Sequence, residues 1–176
     1  CGTLVLLNLS SDFAIDQLKL PIKDVTRCLA RKDFFIPGSI LRTELDLTHP
    51  IAKGMPAQSI AWFENSPVFE LSEPPAVAGG LTPPQDSTLS MAQRQPPATA
   101  GGSDIRVIAR YPSNPKDILL SGWALGAEKI AGKAALIEVK MGKGKIVLFG
   151  FRPQYRGQSL ATFPLLFNAI SQNHLR

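Results

Sequence analysis

The sequence predicts an α/β domain in which a mostly parallel sheet of apolar strands is flanked by helices. Short, continuous apolar runs such as residues 3–8 are typical of buried parallel strands. Segments with apolar residues at helical spacing are interspersed with these runs, as in domains of this class. The length of 176 residues is that of one ordinary domain, so we expect a single domain over residues 1–176.

The first part of the chain is expected to form one strand and two helices. A strand at residues 3–8 precedes a short helix at residues 13–18, which Pro21 ends. A second helix is predicted over residues 22–32, because its apolar residues recur at helical spacing. The residues that favour the start of the first helix are Ser10, Ser11 and Asp12. The apolar residues of the second helix are Ile22, Val25 and Leu29.

Three strands are expected in the next region. The turn Pro37-Gly38 precedes a strand at residues 39–47 whose apolar residues alternate. Residues 49–56 contain turn-forming prolines and a glycine and are predicted to be a loop. Two short strands follow at residues 60–63 and 68–71, on either side of a second turn.

Residues 74–103 differ from the rest of the chain in composition. They contain six prolines and four glycines but no aromatic residue. Such a segment cannot build a core, and we expect a long, flexible Pro/Gly-rich insertion at the surface. Partner binding by a Pro-rich motif is the alternative, but no PxxP array stands out.

The last part of the chain is expected to add three strands and two helices. The strands are predicted at residues 105–111, 134–139 and 145–151. One helix is predicted at residues 123–130, and the last runs from about residue 162, with a proline tolerated in its first turn. The apolar residues predicted to share one face of the last helix are Phe163, Leu166, Phe167 and Ile170.

The glycine-rich segment 142–145 superficially suggests a phosphate-binding loop. A Walker loop requires the pattern GxxxxGK[ST] between a strand and a helix. Here predicted strands lie on both sides, so a tight hairpin with glycine at positive φ is the better interpretation.

Charge and residue composition exclude several classes of function. The formal net charge is +5, with basic groups at residues 19–32 and 140–145. Neither group is interleaved with aromatic residues or accompanied by a nucleic-acid-binding motif, so we expect no nucleic-acid partner. No apolar run approaches the roughly 18 residues of a membrane-spanning helix, so no membrane association is expected.

The cysteines and histidines do not form a recognisable metal site. The chain has two cysteines, Cys1 and Cys28, and two histidines, His49 and His174. They lack the spacing of zinc ligands, and a catalytic zinc usually needs three protein ligands. We therefore expect no metal or other cofactor in this chain.

The beginning of the chain resembles the interior of a longer protein. Residue 1 is a cysteine, and an apolar strand is predicted almost at once, with no signal peptide before it. We therefore expect the chain to be a fragment of a larger protein whose sheet is incomplete at the N-terminus.

Two segments resemble the active site of class I glutamine amidotransferases. In that family a buried strand ends in a sharp elbow with a nucleophilic cysteine, and a later strand delivers a His-Pro-Glu sequence. Residues 2–11 resemble the elbow, with Asn8 in the position of the cysteine. Residues 151–154 resemble the His-Pro-Glu segment, with Arg152 for histidine and Gln154 for glutamate. The resemblance implies a flavodoxin-like fold.

All three chemical groups of the amidotransferase triad are replaced. Asn8 has no nucleophilic thiolate, Arg152 stays protonated and cannot act as a base, and Gln154 carries no charge. The resemblance therefore implies a degenerate site without catalytic residues.

The chain is also similar to one bacterial group of large zinc carboxypeptidase-like proteins. These proteins carry a degenerate amidotransferase-like domain after the peptidase domain. The matching segments are residues 46–56, 120–123, 142–158 and 163–170. The resemblance implies a parent metallocarboxypeptidase that acts in proteolysis and is periplasmic or secreted. Its zinc would be held in the upstream peptidase domain, which would be the partner of this chain.

Three functions are compatible with these observations. The first is a non-catalytic accessory domain, which regulates or packs on the peptidase or forms a homo-oligomer. The second is a module that binds a small anionic ligand in the remnant pocket, where Arg152 could act as a bidentate fork. The third is a hydrolase with rearranged groups, for example Ser10 or Ser11 with His49. The candidate ligand-binding residues of the second function are Arg152, Gln154, Arg156 and Gln158. A purely structural role for Arg152 and Gln154, at the end of a buried strand, is the alternative to binding.

Overall fold

The computed structural model describes residues 2–72 and 105–171. The predicted Pro/Gly-rich insertion at residues 74–103 lies outside the described residues. Within them, a mixed α/β fold is observed, in which a nine-stranded sheet is flanked by two α-helices. The α/β prediction is confirmed at this level.

The described strands are short, and several 3₁₀ turns connect them. The strands are β1 (Thr3–Leu7), β2 (Ile22–Asp24), β3 (Pro37–Leu45), β4 (Gln58–Glu64), β5 (Phe69–Leu71), β6 (Ile105–Arg110), β7 (Leu119–Ser121), β8 (Ala134–Met141) and β9 (Gly144–Phe149). The helices are α1 (Ser10–Leu18) and α2 (Phe163–Ser171). The 3₁₀ turns are Pro50–Ala52, Pro115–Asp117, Ala127–Lys129, Tyr155–Gly157 and Leu160–Thr162. Neither described helix is long and apolar enough to cross a membrane.

The prediction of a mostly parallel sheet is wrong for the described strands. Their main order is β1-β9-β8-β6-β3-β4, and only β1 and β9 pair in parallel. The other pairs are antiparallel, an arrangement that, unlike a parallel pair, needs no long crossover between its strands. The connection from β8 to β9 is instead the tight hairpin predicted at residues 142–145, in which Gly142 has a φ of 53°.

All the predicted strands are present, with shifts of a few residues at their ends. The helix predicted at residues 22–32 is not formed. Ile22 is buried instead by pairing with Leu71 in β5, so tertiary contact overrides the local helical pattern.

The helix predicted at residues 123–130 is reduced to the 3₁₀ turn Ala127–Lys129. Gly126 interrupts it at a φ of 80°. The Gly126 backbone lies so close to residue 33 that a Cβ would come within 2.3 Å of the Asp33 carbonyl oxygen. This close approach fixes the segment in a conformation that a helix cannot adopt.

Buried side chains form two clusters, and successive residues of β9 contribute to both. Val147 and Phe149 belong to the cluster that includes Leu165 and Ala169 of α2. Ile146 and Leu148 belong to the cluster that includes Ala14 of α1. Because side chains alternate along a strand, α1 and α2 cover opposite faces of the sheet next to β1 and β9.

Helix α2 presents a different face to the core from the one predicted. Leu165 and Ala169 are buried, whereas Phe167 is 61% exposed and Ile170 is 53% exposed. The Asn168 amide donates hydrogen bonds to the backbone oxygens of residues 51 and 53, both at 2.9 Å. These bonds fix the rotation of the helix and leave an apolar stripe on its outer side.

Candidate functional site

The chain turns sharply between β1 and α1, at the position where the sequence predicts an elbow. Asn8 has a φ of 52°, in the left-handed region that few non-glycine residues adopt. Its backbone N–H donates to the Phe149 carbonyl at 2.8 Å, which ties the turn to the end of β9. The Ser10 hydroxyl accepts from the Leu7 N–H at 2.9 Å and donates to the Leu7 carbonyl at 2.7 Å. The turn is therefore closed by its own hydrogen bonds.

The side chain of Asn8 is buried without a complete set of hydrogen bonds. The residue is 6% exposed, and its Oδ1 has no partner among the described residues. A buried polar atom left unpaired costs roughly 1–3 kcal/mol. Such a cost, together with the strained backbone of the same residue, is characteristic of functional sites.

The segment after β9 is held close to the segment after β4. A Cβ at Gly150 would come within 2.4 Å of the Pro67 carbonyl oxygen, so this crossing requires glycine. Further on, the Ser159 and Thr162 hydroxyls donate to the Pro153 carbonyl at 2.9 and 2.6 Å. Residues 150–162 are therefore anchored at both ends, and Arg152 lies between the anchors.

Strand β4 supplies the partners of this segment. Arg152 Nη1 donates to Glu64 Oε2 at 3.1 Å. The ring of Tyr155 stacks on Trp62, with centroids 4.4 Å apart and planes 11° apart. The guanidinium groups of Arg152 and Arg156 lie 5.8 and 5.2 Å from the Tyr155 ring centroid. The two arginines are thus positioned around one aromatic ring.

These segments enclose a cavity of about 760 Å³ at the carboxyl ends of β1 and β9. The site predicted from the sequence is in large part assembled here, because Asn8, Arg152, Gln154 and Arg156 all line the cavity. Gln158, the remaining predicted residue, is exposed and does not line it. We call this cavity the anion pocket, and its lining residues are Leu7, Asn8, Leu9, Ser10, Glu64, Arg152, Gln154, Tyr155 and Arg156.

The anion pocket carries an excess of positive charge. The charges of Glu64 and Arg152 offset each other, whereas no described carboxylate forms an ion pair with Arg156. Arg156 is exposed and held at a φ of 46°, so it is the second strained residue of this pocket. The N-terminus of α1 also faces the turn at Asn8, and Leu9 at its N-cap provides no side-chain hydrogen bond. Asp12 in the first turn offsets the partial positive charge of this helix end, so the excess charge of the pocket is that of Arg156.

The arrangement required by the third function, a hydrolase, is not observed. Ser10 is engaged by the backbone of Leu7, and the buried Ser11 hydroxyl donates to the Phe149 carbonyl at 3.3 Å. His49 does not line the anion pocket, and its Nδ1 accepts a hydrogen bond from the Ile51 N–H at 3.2 Å. The structure therefore does not bring His49 together with either serine.

His49 belongs instead to a buried charged cluster with Glu138 and Lys145. His49 Nε2 lies 3.5 Å from Glu138 Oε1, and Lys145 Nζ lies 3.0 Å from Glu138 Oε2. The hydrogen bond from His49 lowers the pKa of Glu138 to about 2; burial opposes this shift and Lys145 reinforces it. Within residues 2–72 and 105–171, no three side chains of His, Cys, Asp or Glu are grouped closely enough to hold a metal ion.

Several pocket residues could not be identified from the sequence. Glu64 and Trp62 lie at the end of a short strand, and no motif distinguishes them. Leu9 falls within one of the two segments that resemble amidotransferases, and Tyr155 directly follows the other, but neither is part of the triad. The local sequence offers one indication of Tyr155 as a pocket residue: it lies between two arginines within residues 152–156.

Comparisons with known proteins give little further information. No protein-family model matches the chain, and no curated protein is significantly similar to it. One solved structure with a detectable likeness is that of a protein from Bacteroides uniformis described as ThuA-like. Its sequence identity to this chain is 16% and the TM-score is 0.36, over 77% of this chain and 44% of that protein. The chain thus spans less than half the length of that protein, and we base no argument on this likeness.

Proposed function

We propose that this chain is a non-catalytic domain that binds a small anionic ligand in the anion pocket. The observation that carries the proposal is that Asn8, whose buried Oδ1 has no hydrogen-bond partner among the described residues, lines the same pocket as two arginines. A ligand could satisfy the polar atom and neutralise the excess charge at the same time.

Each polar group of the pocket has a distinct role in this proposal. Arg156 attracts the anionic group of the ligand, because it has no described carboxylate partner. Arg152 provides a second set of N–H donors, positioned by its ion pair with Glu64. Asn8 Oδ1 can only accept hydrogen bonds, so a ligand with an O–H or N–H group near its anionic end would gain a further hydrogen bond there.

The chemistry of these groups favours binding over turnover. An arginine remains protonated and an asparagine provides no nucleophile, so no activated nucleophile is formed from Asn8 and Arg152. A degenerate amidotransferase-like site on a flavodoxin-like fold is part of this proposal. The elbow at Asn8 and its closeness to Arg152 and Gln154 support that relationship.

The direct test is a titration of the 176-residue chain with small carboxylates and inorganic phosphate, followed by two-dimensional NMR. We expect shifts of the Asn8 amide and of the Arg156 side chain with at least one of these anions. Arg156→Gln should weaken binding about tenfold or more, because a charged hydrogen bond contributes roughly 1.5–3 kcal/mol. Arg110→Gln is the matched control, since Arg110 is exposed and contacts the Gly132 carbonyl away from the pocket. Equal loss of binding in both variants, or no shift at Asn8 with any anion, would contradict the proposal.

A second candidate function is that of an accessory or assembly domain of a zinc carboxypeptidase-like protein. The observation that favours it is that β1, whose residues are apolar except Thr3, lies at the edge of the described sheet. Leu4 of this strand is 48% exposed. An apolar edge strand is a ready site for pairing with another chain or domain. The partner would be the upstream peptidase domain, which would also hold the zinc, or a second copy of this chain.

Sedimentation of the chain alone and joined to its upstream region distinguishes these partners. A homo-oligomer of the chain alone, dissociated by Leu4→Lys, would favour self-assembly. A monomer that remains compact only when joined to the peptidase domain would favour docking on that domain. A stable, non-associating monomer in both forms would exclude the assembly function.

A further inference from the structure

A second cavity of about 270 Å³ adjoins the anion pocket. Leu9 lines both cavities, and the consecutive residues Glu64 and Asn65 line one each. The two cavities therefore meet at the first turn of α1 and at the end of β4. A molecule bound in one could extend past the Leu9 side chain into the other.

The second cavity has an apolar wall, unlike the anion pocket. The aromatic and aliphatic residues that line it are Leu9, Leu29, Phe34, Phe35, Ile36 and Phe63. Several polar residues line it too, but most have partners in the protein. Asp24 Oδ1 accepts from the N–H groups of Thr26 and Val68, and Arg27 forms a bidentate pair with Asp16. These side chains hold the wall in place.

Asp12 differs from the other polar residues of the second cavity. Its Oδ1 is shielded from solvent and has no hydrogen-bond partner among the described residues. Burial raises the pKa of Asp12, and the nearby charge of Asp24 raises it further. A carboxyl group in this state gains most from a hydrogen-bond donor or a positive charge brought into the cavity.

We propose that the ligand is an elongated carboxylate whose apolar arm passes over Leu9 and ends in an amine beside Asp12. This inference rests on the proposed function, since the carboxylate occupies the anion pocket. The apolar wall accepts the methylene groups of the arm, and Asp12 pairs with the terminal ammonium. The ammonium thereby supplies the donor that Oδ1 of Asp12 lacks within the protein.

Three probes separate the parts of this ligand: acetate, hexanoate and 6-aminohexanoate. Acetate tests the anion pocket alone, hexanoate adds the arm, and 6-aminohexanoate adds the amine. We expect hexanoate to bind at least about tenfold more tightly than acetate, because its four additional methylene groups leave water for the apolar wall. The amine should add about threefold more at pH 7, as expected of a partly exposed charged pair. The titrations are followed by NMR at the Asn8 and Asp12 amides.

Two variants test the second cavity without altering the anion pocket. Leu29→Trp fills the cavity and should reduce hexanoate affinity to that of acetate while leaving acetate affinity unchanged. Asp12→Asn keeps the shape of the side chain and should remove only the advantage of 6-aminohexanoate over hexanoate. If Leu29→Trp does not fold, Asp12→Asn still tests whether the ligand reaches the second cavity.

The outcomes distinguish this inference from the proposed function. If none of the three probes binds in the anion pocket, the inference fails, and the proposed function fails with it when inorganic phosphate does not bind there either. If acetate and hexanoate bind equally and Leu29→Trp changes neither, the elongated ligand is excluded while the anion pocket stands. If hexanoate is preferred but Asp12→Asn has no effect on 6-aminohexanoate, the amine is excluded and the inference is overturned in that part.

Discussion

Polar side chains lie near both ends of β9. Those at its beginning are paired with each other within the protein, whereas those beyond its other end are not all paired. At the beginning of the strand, His49 and Lys145 both lie against the buried carboxylate of Glu138. Beyond its other end, Asn8 keeps an unpaired oxygen, and Arg156 has no described carboxylate partner. The contacts at the beginning of β9 are typical of a group that stabilises the fold. The other end retains interactions that a bound molecule could complete, which is the main reason for regarding it as a site.

The largest loss of stability is expected when the Glu138 carboxylate at the beginning of β9 is removed. Glu138→Gln removes the carboxylate charge that faces His49 and Lys145 in a buried environment. Removing one partner of a buried charged pair typically costs about 3–5 kcal/mol, so we expect a loss of roughly 3 kcal/mol in the free energy of unfolding. Urea denaturation measures it. Glu70→Gln is the matched control, because Glu70 pairs with Lys133 at a partly exposed position and should cost less than about 1 kcal/mol. Equal losses in both variants would mean that the buried cluster has no special structural importance.

A comparable loss of stability is expected when the pH is lowered. The pKa of Glu138 is about 2 in the folded protein and 4.5 as its ordinary value. Because the folded pKa is the lower one, its stabilisation is fully present above about pH 4.5 and is lost as the pH falls towards 2. The loss should be about 2 kcal/mol at pH 3 and approach about 3 kcal/mol towards pH 2, and it should be absent in Glu138→Gln. Urea denaturation at pH 6 and pH 3 tests this, and an equal acid sensitivity of both proteins would contradict it.

The smallest change in stability is expected at Asn8, beyond the other end of β9, and there it should be a gain. Asn8→Gly relieves the left-handed backbone and removes the unpaired oxygen, so it should stabilise the fold by about 1 kcal/mol. The same variant should weaken anion binding. Lys19→Gly is the control, because Lys19 has a similar φ of 50° at the end of α1 but lines neither cavity. Destabilisation by Asn8→Gly, or unchanged binding, would show that the strain at Asn8 has no functional role.

The sequence predicted the local parts of the site better than its long-range contacts. Asn8 was predicted at an elbow because residues 2–11 resemble the elbow segment of class I glutamine amidotransferases. Glu64 could not be predicted, since it meets Arg152 across 88 residues and no local pattern marks such a contact. The pairing of β2 with β5 likewise overrides the helical pattern of residues 22–32, because burial of Ile22 depends on a distant strand. The contact between His49 and Glu138 could not be predicted from the sequence for the same reason.

The parallel pairing of β1 with β9 also constrains the order of folding. Ser11 and Phe149, which meet at the elbow, are separated by 138 residues. During synthesis the apolar residues of β1 emerge well before β9, the strand with which they pair. Contacts of such high sequence separation form slowly, so the elbow and its pocket should be among the last parts to assemble. Until β9 emerges, β1 is therefore open to misassociation.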